Sequence, residues 1–396
     1  MLLSGRIATN IADSLFYMAI LWFFKEEFNS PFIVALIFAI DSGIDMVSFS
    51  LGPLIDRLSI KKLLVTSTAI QIVISFLACG MLLKIFLNPF GITVLLGLYL
   101  ISTIISAFIY PSEYKLLPIL VKKTELLKYN GLFQLSYRTL DVFLDGLTTA
   151  VIALFKVNLS LIFSGLIFAF ALTCYQLIKI DATAKLVLEE AAYFSGNYLK
   201  DLQIGWTTLR QESNILNLIL PLAVTNLFYG IFSVGLPYFA QTYLSQSPIG
   251  YGGLLMSSSI GSILGTFLIQ KFAFGRNHMR TFIVKCFWLA GVFRCLVPAV
   301  ASVNVLLIFL FSVLSAMGIS MMNTNFEALV QTSFSSAVLG RVQTINDSLI
   351  SVMIPIGSLL SSWVIKAWGS ESTQYIYGIA LILSGLYYML FVKRDT

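Results

Sequence analysis

Apolar runs of about twenty residues, each closed by charge, proline or glycine, recur along the whole chain. A helix crossing a bilayer needs about 20 such residues. A membrane β-barrel would instead show alternation over segments of about ten, and the sequence has none. The pattern predicts twelve helical segments. Segments 1 to 6 cover 4–24, 32–55, 63–83, 91–111, 130–154 and 159–178. A polar stretch, 179–213, follows. Segments 7 to 12 cover 214–240, 249–270, 281–300, 303–325, 341–365 and 373–392.

The two sets of six repeat one another. Segments 1 and 7 are each followed by a loop ending in Ser-Pro, at Ser30-Pro31 and Ser247-Pro248. Segments 4 and 10 are each followed by an acid, Glu113 and Glu327, then by a glycine opening the next segment, Gly131 and Gly340. Internal repeats of this kind build many transporters, with the substrate site near the midplane between them. The expected organisation is an all-α polytopic membrane protein: a six-helix bundle over 1–178, a linker over 179–213 and a second bundle over 214–396.

Composition agrees with the pattern. Of 396 residues 58% are hydrophobic and 11% charged, against about 25% charged in soluble domains. Lysine and arginine set the orientation, because they concentrate on the cytoplasmic side. With both termini inside, eighteen fall in inside connections and four (Lys25, Lys84, Lys156, Lys366) outside. The net charge of +6 therefore reads as topology and not as nucleic-acid binding. Segment 1 has no A-x-A-like cleavage site and reads as a helix of the fold. Cys79, Cys174, Cys286 and Cys295 fall within segments, and His278 is the lone histidine, so neither a metal site nor a disulfide framework is expected. No Ser/His/Asp set and no P-loop appear. The chain is not expected to be an enzyme, an ATP-driven pump or a cofactor protein.

LGPLIDRLSIKKLL, residues 51–64, joins segments 2 and 3. The spacing of Gly52, Asp56, Arg57 and Lys61 resembles the signature loop G-x-x-x-D-R/K-x-G-R-K/R of the major facilitator superfamily, with Ser59 and Ile60 in place of a glycine and a base. Three further stretches, 110–134, 201–220 and 339–363, resemble the macrolide-efflux branch of that superfamily in order and spacing. The resemblance implies the major facilitator fold, a bacterial plasma membrane, a monomer and alternating access. It implies proton-driven efflux of amphipathic small molecules. It makes Gly52, Asp56, Arg57 and Lys61 the lock of the cytoplasmic gate, and it places segments 1, 2, 4, 5, 7, 8, 10 and 11 along the path. Where drug:proton antiporters of the family carry Gly-Pro in segment 5, this chain has Asp145-Gly146.

Charges within the segments name the candidate site. They are Asp13 in segment 1, Asp41 and Asp45 in segment 2, Arg138, Asp141 and Asp145 in segment 5, Arg294 in segment 9 and Asp347 in segment 11. A charge at mid-membrane costs about 2.5–3.5 kcal/mol, so six acids facing lipid would cost roughly 15–20 kcal/mol. They are expected to face a watery cavity or one another. Asp41 and Asp45 share a helix face, as do Arg138, Asp141 and Asp145. The candidates for proton coupling or substrate charge are Asp145, Asp141, Asp13, Asp45, Asp41 and Asp347, with Arg138 as resting partner of its neighbours. Arg294 is expected to snorkel to the outer surface. Two other readings stay open: an importer or facilitator with the same fold, and a non-transporting immunity or sensor protein.

Overall fold

The computed structural model describes residues 1–48, 59–82, 88–121, 125–178, 206–210, 213–271, 276–334 and 336–391. Among them there is no strand. The helices are α1 (Leu2–Phe28), α2 (Pro31–Ser48), α3 (Ile60–Met81), α4 (Pro89–Leu120), α5 (Leu126–Gln176), α6 (Ser213–Tyr243), α7 (Pro248–Lys271), α8 (Arg276–Ala299), α9 (Val305–Ser333), α10 (Ser336–Ser351), α11 (Met353–Trp368) and α12 (Ser370–Phe391). Ten described helices are long and apolar enough to cross a membrane. One of them, Phe143–Gln176, holds segments 5 and 6; α2 supplies segment 2. Helix dominates because hydrocarbon offers no partner to backbone N–H and C=O groups, so each span must satisfy its own.

Two sets of boundaries differ from the sequence reading, each for a local reason. Segments 5 and 6 are two helices that meet in a kink at Lys156, at φ 62° and ψ 168°, between the bounds read from the sequence, and α5 labels the pair. Segment 11 is broken after Ser351 into α10 and α11. Pro355 has no N–H for the Ser351 carbonyl and its ring crowds that turn. Segments 4 and 10 run on to Leu120 and Ser333, so Glu113 and Glu327 lie inside helices and not after them. The helix α4 passes through Pro111, beyond the 91–111 bound read from the apolar pattern.

Turns repeat between the halves. Asn88 caps α4 by accepting from the Gly91 N–H at 2.8 Å, and Asn304 caps α9 by accepting from the Leu306 N–H at 2.9 Å. Each fills one of the donor positions a helix start leaves open. Lys156 and Gly369 mark the last tight turn of each half with nearly the same backbone angles.

Packing divides the chain into two compact units. The first holds α1, α3, α4 and α5; the second holds α2 and α6 to α12. In the first unit α1 and α3 both pack on α5, and α4 packs on α3. Leu64, Leu116, Ala171 and Tyr175 are among its buried core. In the second unit α6 packs on α11 and α12, while α8 and α7 pack on α9. Small residues let backbones approach here. A Cβ on Gly261 or Gly265 of α7 would meet the Val313 or Met317 carbonyl of α9, and one on Gly357 of α11 would meet the Leu227 carbonyl of α6. Outward, large apolar side chains such as Phe170, Trp363 and Leu390 stand exposed. In water such a surface would drive association; on a multi-pass membrane protein it faces lipid.

Candidate functional site

In the first unit the sequence-predicted Asp13 is built into a polar chain. The Ser106 hydroxyl of α4 donates to Asp13 Oδ1 at 2.7 Å. Ser106 in turn accepts from Gln71 Nε2 of α3 at 2.7 Å. Gln71 Nε2 also reaches the Ser102 carbonyl at 3.0 Å, and the Ser102 hydroxyl donates to Gln71 Oε1 at 2.7 Å. Gln71 is fully buried. The hydrogens from Ser102 through Gln71 and Ser106 run toward Asp13, which matches a carboxylate acting as acceptor. The Asp13 side chain is half-buried.

A second cluster, not foreseen as a site, links α1, α4 and α5. Arg6 Nη1 donates to Glu113 Oε2 at 2.9 Å, and both side chains are buried. The Tyr175 hydroxyl donates to Glu113 Oε1 and lies 3.3 Å from the Thr9 hydroxyl. The Arg6 guanidinium sits 4.2 Å from the Tyr110 ring centroid. Burying two charges is costly unless geometry is good and remaining lone pairs are met; here Tyr175 and Tyr110 meet them. The signal in the sequence is Glu113 itself, the acid that follows segment 4 as Glu327 follows segment 10.

The second unit holds a cavity of about 190 Å³ lined by α6, α9, α10 and α12, including Asn226, Asn323, Glu327, Asn346 and Asp347. The predicted Asp347 lies on its exposed edge. Asn346 Nδ2 donates to Asp347 Oδ1 at 3.2 Å, and Asn226 Nδ2 donates to the Ile350 carbonyl at 2.9 Å.

Arg294 corrects its expectation. It does not snorkel: it is 2% exposed. Its guanidinium lies 4.5 Å from the Phe232 ring centroid, and Phe232 stacks on Tyr377 at 5.1 Å. Its Nη1 approaches Gln374 Oε1 at 3.5 Å. α8 turns this face toward α12, where Gly291 meets Gly378 closely enough to draw the arginine between the helices. Lys25, expected in an outer loop, is likewise buried in α1, with Nζ 4.2 Å from the Trp22 ring centroid.

The remaining candidates are placed less fully. Asp41 on α2 and Asp145 on α5 are half-buried, and Asp45 on α2 is exposed. The Asp145 carbonyl accepts from the Thr149 hydroxyl at 2.8 Å. Arg138 and Asp141 lie in α5, but their side chains are outside the described residues. So are Gly52, Asp56 and Arg57 of the gate motif. Its fourth member, Lys61, donates to the Gln176 and Ile178 carbonyls at 2.9 and 2.6 Å. It thereby caps the C-terminal end of α5, where a cation is favoured.

The comparisons agree with this architecture. The Major Facilitator Superfamily model matches residues 2–354. An uncharacterized MFS-type transporter, YvqJ, of Bacillus subtilis strain 168 is 20% identical over 98% of this chain and 91% of its own length. Macrolide efflux protein A of Streptococcus pyogenes is 20% identical over 91% of this chain and 87% of its own. A D-xylose-proton symporter superimposes with a TM-score of 0.69 at 13% identity, covering 98% of this chain and 97% of that one, a likeness of fold alone. Matched over most of its length and folded alike, the chain belongs to the major facilitator superfamily of membrane transporters.

Proposed function

We propose that this protein is a secondary active transporter that extrudes amphipathic small molecules by alternating access, driven by protons. The observation that carries the reading is Asp13. A half-buried carboxylate within a membrane span, accepting from Ser106, which Gln71 holds in turn, supports the reading, because intramembrane ionisable groups commonly belong to proton relays. The shared family and the macrolide-efflux relative support the direction and the substrate class. In this reading 1–178 and 214–396 are the two rocking halves and 179–213 links them. Both termini face the cytoplasm of a bacterium, the chain works as a monomer, and no cofactor beyond the proton gradient is needed. Asp145 and Asp141 carry the coupling proton with Asp13, Asp41, Asp45 and Asp347 as further charged stations. Arg138 is the resting partner. Gly52, Asp56, Arg57 and Lys61 lock the cytoplasmic gate.

The test is proton-driven accumulation of a macrolide in inverted vesicles. Asp145→Asn and Asp141→Asn are each expected to abolish it, and unchanged transport in both refutes the coupling role. One observation favours a second reading, import or facilitated exchange: Asp145-Gly146 stands where antiporters of the family have Gly-Pro. Whole cells expressing the protein would then gain the solute and not lose it.

A further inference from the structure

Arg294 is a charge within a membrane segment to which proton-driven efflux assigns no task. Among the described residues it has no carboxylate partner. Its Nε is buried without a hydrogen bond, and its Nη1 reaches only the Gln374 oxygen, at 3.5 Å. A buried charge met so poorly lowers stability instead of adding to it. Stability therefore gives no reason for an arginine at this place.

The guanidinium has a partner of another kind. It lies over the Phe232 ring of α6, 4.5 Å from the centroid. Phe232 stacks on Tyr377 of α12 at 5.1 Å with the ring planes 22° apart. Tyr377 is also part of the wall of the second unit's cavity. One stack thus begins at a buried cation and ends at a cavity wall. The cavity has two unlike ends. Leu222, Thr225, Phe326 and Tyr377 are buried and form the closed end. Asn323, Glu327 and Asp347 are exposed and form the open edge.

Aromatic faces attract cations through the ring quadrupole. Here Arg294 already engages the stack from behind, and its charge repels a second cation arriving at Tyr377. We propose that Arg294 is a specificity-determining residue that acts through Phe232 and Tyr377 to reserve the closed end of this cavity for an uncharged group. The ligand is an amphipathic molecule that enters with its apolar or aromatic end first and keeps any positive charge at the open edge. The place of this selection in transport rests on the efflux reading; the binding itself does not.

The experiment is titration calorimetry on the full-length protein in nanodiscs, without a gradient and with empty nanodiscs as blank. The probes are choline and 3,3-dimethyl-1-butanol, which share a shape and differ by one positive charge. The readout is the ratio of their affinities. Arg294→Met is expected to shift the ratio toward choline about tenfold, the size of a like-charge repulsion across about 12 Å at an effective dielectric constant of about 20. Arg294→Lys keeps the charge and is expected to leave the ratio unchanged. Glu327 and Asp347 are the same in all three proteins, so the comparison reads position 294 alone. Asn323→Trp fills the open edge and is expected to abolish binding of both probes. An unchanged ratio in Arg294→Met overturns the proposal, and so does an equal loss of both probes, the outcome of a purely structural role. A ratio that shifts as far in Arg294→Lys as in Arg294→Met overturns the assignment to charge. Binding that survives Asn323→Trp, or no binding of either probe to the unaltered protein, overturns the assignment to this cavity. Should Arg294→Met fail to fold, Arg294→Gln removes the charge, puts an amide in its place and carries the same expectation. A shifted ratio without vesicle efflux refutes the efflux reading alone.

Discussion

Arg6 and Glu113 are 107 residues apart and meet in a fully packed interior. Removing one partner strands the other, at a cost of about 3–5 kcal/mol, whereas replacing both with apolar residues of similar volume is often neutral. Glu113→Gln is therefore expected to destabilise the first unit by roughly that amount, and Arg6→Met with Glu113→Leu to recover most of it. Denaturant unfolding in detergent, read as a double-mutant cycle, measures both; additive effects would mean the pair is not coupled. Arg294 gives the opposite expectation. Its buried guanidinium rests on an aromatic ring and a long contact to Gln374. Arg294→Met should leave thermal stability unchanged or raised. A large loss of stability would show that the arginine holds α6, α8 and α12 together.

At the level of elements, two features invite measurement. Lys156 adopts a backbone conformation that residues with a Cβ disfavour by about 1–3 kcal/mol, while Gly369 takes the matching turn of the other half at no such cost. Lys156→Gly is expected to stabilise the protein by about 1 kcal/mol, seen as a rise in melting temperature in detergent. On α7, Gly261 and Gly265 lie against α9 carbonyls. Gly261→Leu must push the two helices apart and should lower the melting temperature far more than Gly43→Leu on α2, where a Cβ would meet open space.

The whole molecule joins these parts to transport. Asp13 accepts from Ser106 of α4, which accepts in turn from Gln71 of α3, so Asp13→Asn keeps an acceptor for Ser106 while removing the titrating group. Folding is expected to survive and proton-driven efflux in vesicles to fall by more than tenfold, on the order of one lost proton-transfer step. A stable Asp13→Asn protein with full efflux would remove Asp13 from the relay and leave coupling to Asp145 and Asp141. Fold likeness to other superfamily members leaves substrate open.

The membrane class, the order of segments and the repeat were all legible in the sequence. A bilayer forces every spanning backbone to satisfy itself, so apolar length and closing residues are enough to find the helices. Asp13 and Asp347 stand out in the sequence as candidates, because a charge in an apolar run is conspicuous. Periodicity gives the face a residue occupies but not what stands opposite. Gln71, Ser102 and Ser106 became the holders of Asp13 only when α3 and α4 packed beside α1. The buried site of Arg294, the partnership of Arg6 with Glu113 and the orphan oxygen of Asn346 arise in the same way. Each depends on the rotation of one helix against another, and that rotation is set by close packing of small residues and side chains from distant parts of the chain. The sequence by itself determined that this protein crosses the membrane as a repeated set of helices; the tertiary structure decided which of its few polar groups are locked together and which face open space.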